Sequence, residues 1–596
     1  MGTALFAGAT FTTLYFNSAI QDPFNSPKFW IIMLLAGWVL SGIAITIKTN
    51  PYLFAKHKLA VILISTFAIL QILIMSMSTN KLKAIMGETQ RRNGAFSYVA
   101  LAIIMLAMII YGDLQNLRKL NYYFIFISFI FVIYGLLQIN GNDFVKWNNP
   151  YNAIILTLGN PNFSGAAMAI LASFSFGQIF VNNLSLFLRV LHSIISILLV
   201  FTIYLSNARQ GLMAFAVGLL TISVILSFTK SRLKGYTALA LAVALSVFSI
   251  FGMLQRGPLT EILYKSSVTV RGYYWTAGIE MFKDHFWTGV GLDNYGDYFK
   301  VYRDSKYPQL YGFETTSSNA HNVFIQFFST GGFVLGLFYL LICSLIFSST
   351  VLTLKRSSNK RKLEIAPFFA AWLAFQATSV ISIDNIGVSI WGWILGGALI
   401  AFQKLDIQNS EKLNKIKRNS TESLQPLLGL IFILPIFVLV SMLFKVETAV
   451  FQSRVIASVS SENFSDQAKT RLINNSQLKF LDSNYRVNIA SYLANMGNSK
   501  DAISVLNKTL LENPRNQDAY SLMAFIKERT GDIDTAIILR KKIAELDPWD
   551  ANNYLSLGQL YKSLGEDQVA NDYFKKILTF ARDSKPGIEA LKNLQG

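Results

Sequence analysis

Residues 268–336 read VTVRGYYWTAGIEMFKDHFWTGVGLDNYGDYFKVYRDSKYPQLYGFETTSSNAHNVFIQFFSTGGFVLG, a long polar segment that runs into an apolar helix. Apolar runs flank this polar segment on both sides. It begins with Arg271, contains Asp293 in a Gly-rich turn, and places His321-Asn322 where the apolar run starts. A cation and a titratable imidazole are therefore predicted at one surface, and the rest of the chain is interpreted around this loop.

Apolar runs of roughly 18 to 22 residues recur as far as Lys445, and each is long enough to span a bilayer core of about 30 Å. Of the 596 residues, 52% are hydrophobic, which excludes a water-soluble globular chain. We predict an all-α fold with a polytopic membrane bundle of about 12–13 spans in residues 1–445. The predicted spans are 3–19, 28–47, 58–77, 96–111, 120–138, 163–181, 186–205, 211–229, 236–253, 322–350, 365–381, 386–403 and 425–444.

The net charge of +19 lies almost entirely in the membrane part, because residues 485–596 hold 15 Lys and Arg against 14 Asp and Glu. Basic loops that alternate along the chain are typical of cytoplasmic loops and of contact with anionic lipid, so no nucleic-acid partner is expected. These loops are 48–57, 113–119, 229–235, 354–364 and 404–420. The large loop 254–320 and the C-terminus are then predicted outside a cytoplasmic membrane.

One predicted outer loop is basic against this rule, with Lys81, Lys83, Arg91 and Arg92 in the sequence TNKLKAIMGETQRRNGA. Either the span count is off, or the charges meet lipid headgroups, or they bind an anion on the outer face. The alternatives stay open from the residues alone.

The composition disfavours a metal enzyme, and no cofactor is expected. The four histidines, at positions 57, 192, 285 and 321, are scattered without a metal-ligand spacing, and the single cysteine lies in an apolar run.

A period of 34 residues appears after a polar connector at 446–484. Helix–turn–helix units of that period are tetratricopeptide repeats, so residues 485–596 are predicted as a soluble α-solenoid that could bind a protein partner. The positions in register are Gly497, Gly531 and Gly565, then Ala502, Ala536 and Ala570, then Pro514 with Pro548 and Tyr520 with Tyr554.

Three residues are candidates for chemistry: Arg209 in SNARQG, Arg271 in VRGYYW and His321 in HNVFIQFF. Each alone is explained by snorkelling or helix capping, but all three map to the same predicted membrane face. The planar guanidinium fork suits phosphate oxygens, and histidine can take a proton from a hydroxyl near neutral pH. The combination fits displacement of a lipid pyrophosphate by an alcohol.

These three motifs, with AIQDPFNSPK and GNPNFSG upstream, resemble the O-antigen ligase / Wzy polymerase superfamily over about 1–405. The resemblance implies a GT-C-like, metal-independent, inverting glycosyltransferase. It would move a glycan from undecaprenyl pyrophosphate to an acceptor hydroxyl of a lipid or protein on the outer side of the inner membrane. Arg209 and Arg271 would hold the pyrophosphate, and His321 would activate the acceptor. The repeats are more typical of protein O-oligosaccharyltransferases than of ligases or polysaccharide polymerases.

Weaker substrate-binding candidates surround these three. Arg91 or Arg92 could help hold the donor, and Asn322 adjoins the histidine. Asp293-Asn294, Asp384-Asn385 and Gln376 could bind sugar hydroxyls, although ordinary turn chemistry, which favours Asp and Asn in loops, is the stronger explanation.

Two other classes of function compete with the enzyme. A polysaccharide-related transporter would fit many spans, but no internal repeat of the membrane part is seen. A scaffold would depend on the repeats, and deletion of 485–596 should abolish its function while His321→Ala should not. The sequence leaves the glycan, the acceptor, ligation against polymerisation, and the oligomeric state open.

Overall fold

The protein is described from a computed structural model that covers residues 1–147, 153–253, 256, 260–263, 266–403, 425–459 and 466–595. All regular structure in these ranges is helical, which confirms the predicted all-α class. The helices of the membrane part are Gly2–Leu14, Asn25–Thr49, Tyr52–Lys56, Lys58–Met77, Lys81–Met86, Ala95–Tyr111, Leu114–Ile139, Pro161–Gln178, Leu186–Leu205, Arg209–Lys230, Arg232–Met253, Thr260–Leu263, Ser266–Asp284, Tyr295–Tyr302, Lys306–Tyr311, Val323–Arg356, Asn359–Ser379, Ile386–Phe402 and Gln425–Val459, with a 3-10 turn at Leu156–Leu158.

A helix stands at each of the thirteen predicted span positions. Eight helices of the described chain are long and apolar enough to cross a membrane, and Ala95–Tyr111 and Ile386–Phe402 are shorter apolar helices. A multi-pass membrane protein is therefore confirmed, while the number of complete spans stays a prediction. The basic loop predicted at 404–420 lies outside the described residues.

The bundle is built around Ile386–Phe402, in which every residue is buried. Such a helix is apolar all round because protein surrounds it on every side. Small residues allow close approach nearby: a Cβ on Gly211 would lie 2.8 Å from the carbonyl oxygen of Gly165 on the neighbouring helix. Helix Arg232–Met253, in contrast, exposes most of its apolar side chains, as a helix that faces lipid does.

The predicted span 322–350 differs from the observed helix in two ways. The helix extends to Arg356, and it is broken at Gly332, which has φ of 71°. At this break the N–H of Phe333 donates to the carbonyl of Phe286 at 2.7 Å, and the N–H of Val290 donates to Ser329 O at 2.9 Å. A side chain on Gly332 would lie 2.2 Å from Trp287 O. The break thus seats the polar loop on the first turns of the helix.

The C-terminal part forms three helix pairs whose starts are spaced by 34 residues, followed by a last helix. Gly497, Gly531 and Gly565 occupy the three turns with φ of 78°, 80° and 77°, a conformation that glycine adopts without strain. The connector is more regular than predicted, because helix Gln425–Val459 runs on past residue 445. The helices are Asp466–Ser476, Ser483–Asn495, Ser499–Glu512, Gln517–Arg529, Ile533–Leu546, Ala551–Ser563, Asp567–Leu578 and Lys585–Gln595.

Candidate active site

His321 lies in a tight turn directly before helix Val323–Arg356. Its backbone has φ of 52°, and its N–H donates to Asn319 Oδ1 at 2.8 Å. Asn322 caps the helix, because its side chain accepts the N–H of Ile325 at 3.0 Å. Asn322 therefore serves the local fold, and the turn holds the imidazole at the mouth of the helix.

Helix Ser266–Asp284 brings Arg271 and Tyr274 to His321. The Tyr274 and His321 rings lie 5.3 Å apart at 31°. Arg271 precedes Tyr274 by three residues, so both occupy one face of the helix. Burial, reinforced by the charges of Arg271 and Arg91, lowers the pKa of His321 to about 3. Its imidazole is therefore neutral at physiological pH, the form that can accept a proton.

Arg91, in the basic loop, forms hydrogen bonds with the Gly-rich turn that contains Asp293 and with the segment that leads to His321. Its guanidinium donates to Ser318 Oγ at 2.5 Å, to the Ser318 carbonyl at 2.9 Å and to Asp293 Oδ1 at 3.0 Å. Asp293 also accepts the N–H of Glu88 at 2.5 Å. Both predicted substrate ligands are thus engaged inside the protein, and a role in binding substrate stays a prediction.

Arg92 points in another direction. Its guanidinium donates to Glu447 Oε1 at 2.6 Å and to Ser26 Oγ at 3.0 Å. It joins the basic loop to helix Gln425–Val459. The charges that break the positive-inside rule therefore include two arginines with buried protein partners, which supplies a structural reason for their presence.

Asp384 lies between two small cavities. The first, about 20 Å³, has room for about one water molecule and is lined by Asp384, Asn319 and Gln326, among others. Tyr98 and Ser389 donate to the Asp384 carboxylate at 3.0 and 2.5 Å. Burial raises the pKa of Asp384, and these two hydrogen bonds oppose that shift.

The second cavity, of about 10 Å³, lies beside Asp384, Asn385 and Phe163. Ser382 lines it, and Gln210 Nε2 contacts Ser382 Oγ at 3.5 Å and donates to Asn162 O at 2.9 Å. Arg209 is exposed beside Gln210. The structure therefore brings the charges of Arg271 and Arg91 close to His321, whereas Arg209 lies at the exposed start of helix Arg209–Lys230.

The remaining predicted polar groups differ in their surroundings. Asn385 caps helix Ile386–Phe402, accepting the N–H of Gly387 at 3.0 Å, and donates to Asn25. Among the described side chains, Gln376 Oε1 and both amide atoms of Asn294 are buried without a hydrogen-bond partner. Tyr274 was not predicted as a site residue; its position three residues after Arg271 in RGYYW is the signal that could have found it.

Two family models match this chain. Residues 194–340 match the model described as O-Antigen ligase, and residues 551–584 match the model described as Tetratricopeptide repeat. The resemblance seen in the sequence is confirmed. The ligase match includes Arg209, Arg271 and His321 and supports a general role in ligase-like glycan transfer.

No curated protein matches the chain. Solved structures with detectable likeness include "Crystal structure of MamA protein" at 23% identity, which covers 22% of this chain and 72% of that one with a TM-score of 0.21. A second structure, "MamA AMB-1 P212121", has 18% sequence identity and a TM-score of 0.21. The match covers 26% of this chain and 89% of that one. At such TM-scores the likeness supports no conclusion about fold or function.

Proposed function

We propose that this protein transfers a glycan from an undecaprenyl-pyrophosphate donor to an acceptor hydroxyl on the outer face of the cytoplasmic membrane. The observation that carries the proposal is the position of the His321 imidazole, 5.3 Å from the ring of Tyr274 and close to Arg271, within a segment that matches the O-antigen ligase model. The chemistry is inverting and needs no metal: a base, an acceptor oxygen and a stabilised leaving group suffice.

In the proposed reaction His321 takes the proton of the acceptor hydroxyl while the acceptor oxygen attacks the anomeric carbon. The bond between that carbon and the pyrophosphate oxygen breaks, and the pyrophosphate leaves with the bonding electrons. Arg271 and Arg209 stabilise its charge, since a guanidinium donates two parallel hydrogen bonds to phosphate oxygens. Arg91, held by Asp293 and Ser318, keeps the histidine turn in place.

Binding of the donor pyrophosphate is expected to change the pKa of His321. Burial and two cations hold the pKa of His321 at about 3, which makes it a weak base before the donor arrives. A pyrophosphate beside Arg271 places negative charge near the imidazole and opposes the effect of the cations. A bound donor is therefore expected to raise the pKa of His321 and make the imidazole a stronger base.

The test is complementation of a deletion strain with wild type, His321→Ala, Arg271→Ala or Arg209→Ala, with surface glycan followed on gels. His285→Ala is the matched control, because His285 lies in the same large loop and meets the rings of Tyr298 and Tyr302 edge-on. We expect loss of acceptor-bound glycan of at least 10²-fold in His321→Ala, the size of a general-base effect. Normal glycan in both His321→Ala and Arg271→Ala would contradict the proposal and leave the transporter or the scaffold.

The same strains separate the related reactions. Full-length lipid-linked polymer accumulates if the protein is a ligase, and single lipid-linked repeats accumulate if it is a polymerase. Loss of glycan from protein, with lipid-linked glycan intact, identifies a protein O-oligosaccharyltransferase. The tetratricopeptide array is the observation that favours testing this last product.

A further inference from the structure

One edge of the tetratricopeptide array packs against the large polar loop. Arg303 of that loop donates from one terminal nitrogen to Asp547 Oδ1 at 2.7 Å, in the turn that connects the second and third repeats. Its other terminal nitrogen donates to the carbonyl oxygens of Phe313 at 2.9 Å and Thr315 at 2.8 Å. The Arg303 side chain is 0% exposed and that of Asp547 is 3% exposed. The ion pair is therefore fully enclosed between the array and the loop.

Further contacts follow the same edge of the array. Lys300 Nζ donates to Gln517 Oε1 at 2.5 Å, and Arg515 stacks 3.9 Å above the ring of Tyr298. Arg515 also donates to the backbone carbonyl of Asp297 at 3.1 Å. These array residues belong to the turns between repeats and to the first helical turn that follows. The array thus meets the loop with its turns, at several points along two successive repeats.

The Arg303 contacts reach the segment that carries the imidazole. Phe313 and Thr315 precede His321 by eight and six residues, and the same segment supplies Ser318 to Arg91. Phe313 also packs on the apolar core of the last repeat pair. The guanidinium of Arg303 therefore fixes two carbonyls of the histidine segment, and Asp547 fixes the guanidinium.

We propose that Asp547 and Arg303 are positioning residues for His321, so that the tetratricopeptide array is part of the catalytic unit. The inference rests on the proposed function, because it takes His321 as the base. Without Asp547 the buried guanidinium lacks its counter-charge, and the carbonyls it holds lose a fixed donor. The histidine segment then samples positions in which the imidazole cannot reach the acceptor hydroxyl.

The test compares Asp547→Asn with Glu528→Gln in the full-length protein. Both exchanges replace a carboxylate by an amide, but Glu528 pairs with Arg540 inside the array, away from the loop. Arg303→Lys is the second variant: it keeps a positive charge beside Asp547 but lacks the planar fork that bridges carboxylate and carbonyls. The donor is the lipid-linked glycan that accumulates in the His321→Ala strain, added back in detergent.

We expect Asp547→Asn and Arg303→Lys to lower kcat by about 10²-fold, the effect of a misplaced reacting group, with an unchanged KM for the donor. Amide hydrogen exchange at 313–320 should become at least about tenfold faster in both variants, while exchange within 551–578 stays at the wild-type rate. Glu528→Gln should match wild type in kcat and in exchange at 313–320. If the array only stabilised the fold, amide exchange would become faster in both segments, 313–320 and 551–578, and not in 313–320 alone.

The inference is overturned if Asp547→Asn and Arg303→Lys both keep kcat within twofold of Glu528→Gln. It is also overturned if amide hydrogen exchange at 313–320 is the same in these variants as in the wild type. A third refuting result is that the array unfolds as a whole in the variants while kcat per folded molecule equals that of the wild type. His321→Ala separates this from the proposed function: an active His321→Ala protein refutes the base, whatever Asp547→Asn does. An inactive His321→Ala protein with an active Asp547→Asn protein refutes only the positioning role.

Discussion

Replacing Arg271 by glutamine should raise the pKa of His321 without removing the imidazole from its site. Burial is the largest cause of the low pKa, and the positive charge of Arg271 is the next, ahead of Arg91. Glutamine keeps a long polar side chain and removes only the charge. The perturbation therefore isolates the electrostatic contribution of one arginine from that of burial.

The expected shift is about one pH unit, the lower end of what a neighbouring charge within a few ångströms produces, because burial and Arg91 remain. At pH 4 a histidine with a pKa of about 3 is about 90% neutral, whereas one with a pKa of about 4 is about half neutral. The sign follows from the cation: a nearby positive charge disfavours the imidazolium, so its removal makes protonation easier.

The measurement is the rate of carbethoxylation of His321 between pH 4 and pH 8, followed by mass spectrometry of the labelled peptide. Only neutral imidazole reacts, so the pH dependence of the rate reports the protonation of His321. The rate at His285 serves as the internal reference for reagent chemistry. Lys283→Gln is the matched control, because it removes a positive charge from the same helix, twelve residues or about 18 Å further along.

Three results are expected together. Wild-type and Lys283→Gln proteins keep His321 reactive down to pH 4, and Arg271→Gln loses about half of that reactivity at pH 4. Inorganic pyrophosphate, added to the wild type, moves the midpoint upward as well. A wild-type midpoint near pH 6.5, or identical curves for wild type and Arg271→Gln, would refute the electrostatic reasoning.

Two further substitutions test the packing around the candidate site, and their effect on stability is measured by thermal unfolding in detergent. Gly332→Ala should destabilise the protein by about 1–3 kcal/mol or more, because alanine is strained at a positive φ and its Cβ would meet the carbonyl oxygen of Trp287. Gly272→Ala is the control and should leave the stability unchanged, because no heavy atom lies within 4 Å of a Cβ added there. Lys83→Met should cost about 3–5 kcal/mol, since it removes the buried ammonium that pairs with the carboxylates of Asp297 and Glu88, and Lys81→Met, at an exposed position, is its control. Equal melting temperatures within either pair would contradict the packing described here.

The helices were predictable because their signal is local. An apolar run of sufficient length predicts a membrane helix from its own residues, and a helix stands at each predicted position. The break at Gly332 was not predictable, because its cause lies elsewhere: the backbone of Trp287 and Thr288 packs against it. A single sequence contains the glycine but does not show which segment needs the space.

The site residues also differ in whether their role has a local signal in the sequence. His321 and Arg271 were found because each lies in a short motif, and the fold brings them together around Tyr274. Arg91 and Arg92 were interpreted as possible anion ligands, but their acidic partners Asp293 and Glu447 stand 202 and 355 residues further along the chain. Charge counting along a sequence identifies unusual cations, and only the tertiary structure shows which acid each of them meets.

This separation in sequence also changes what a truncation can show. For a scaffold, deletion of 485–596 was predicted to abolish function while His321→Ala would not, and for an enzyme the reverse severity was expected. The deletion, however, removes Asp547 from the buried Arg303 and uncovers the segment that leads to His321. An enzyme should then fail as completely as a scaffold. Point variants that leave the array folded are needed, because only they separate loss of a partner surface from loss of the position of one imidazole.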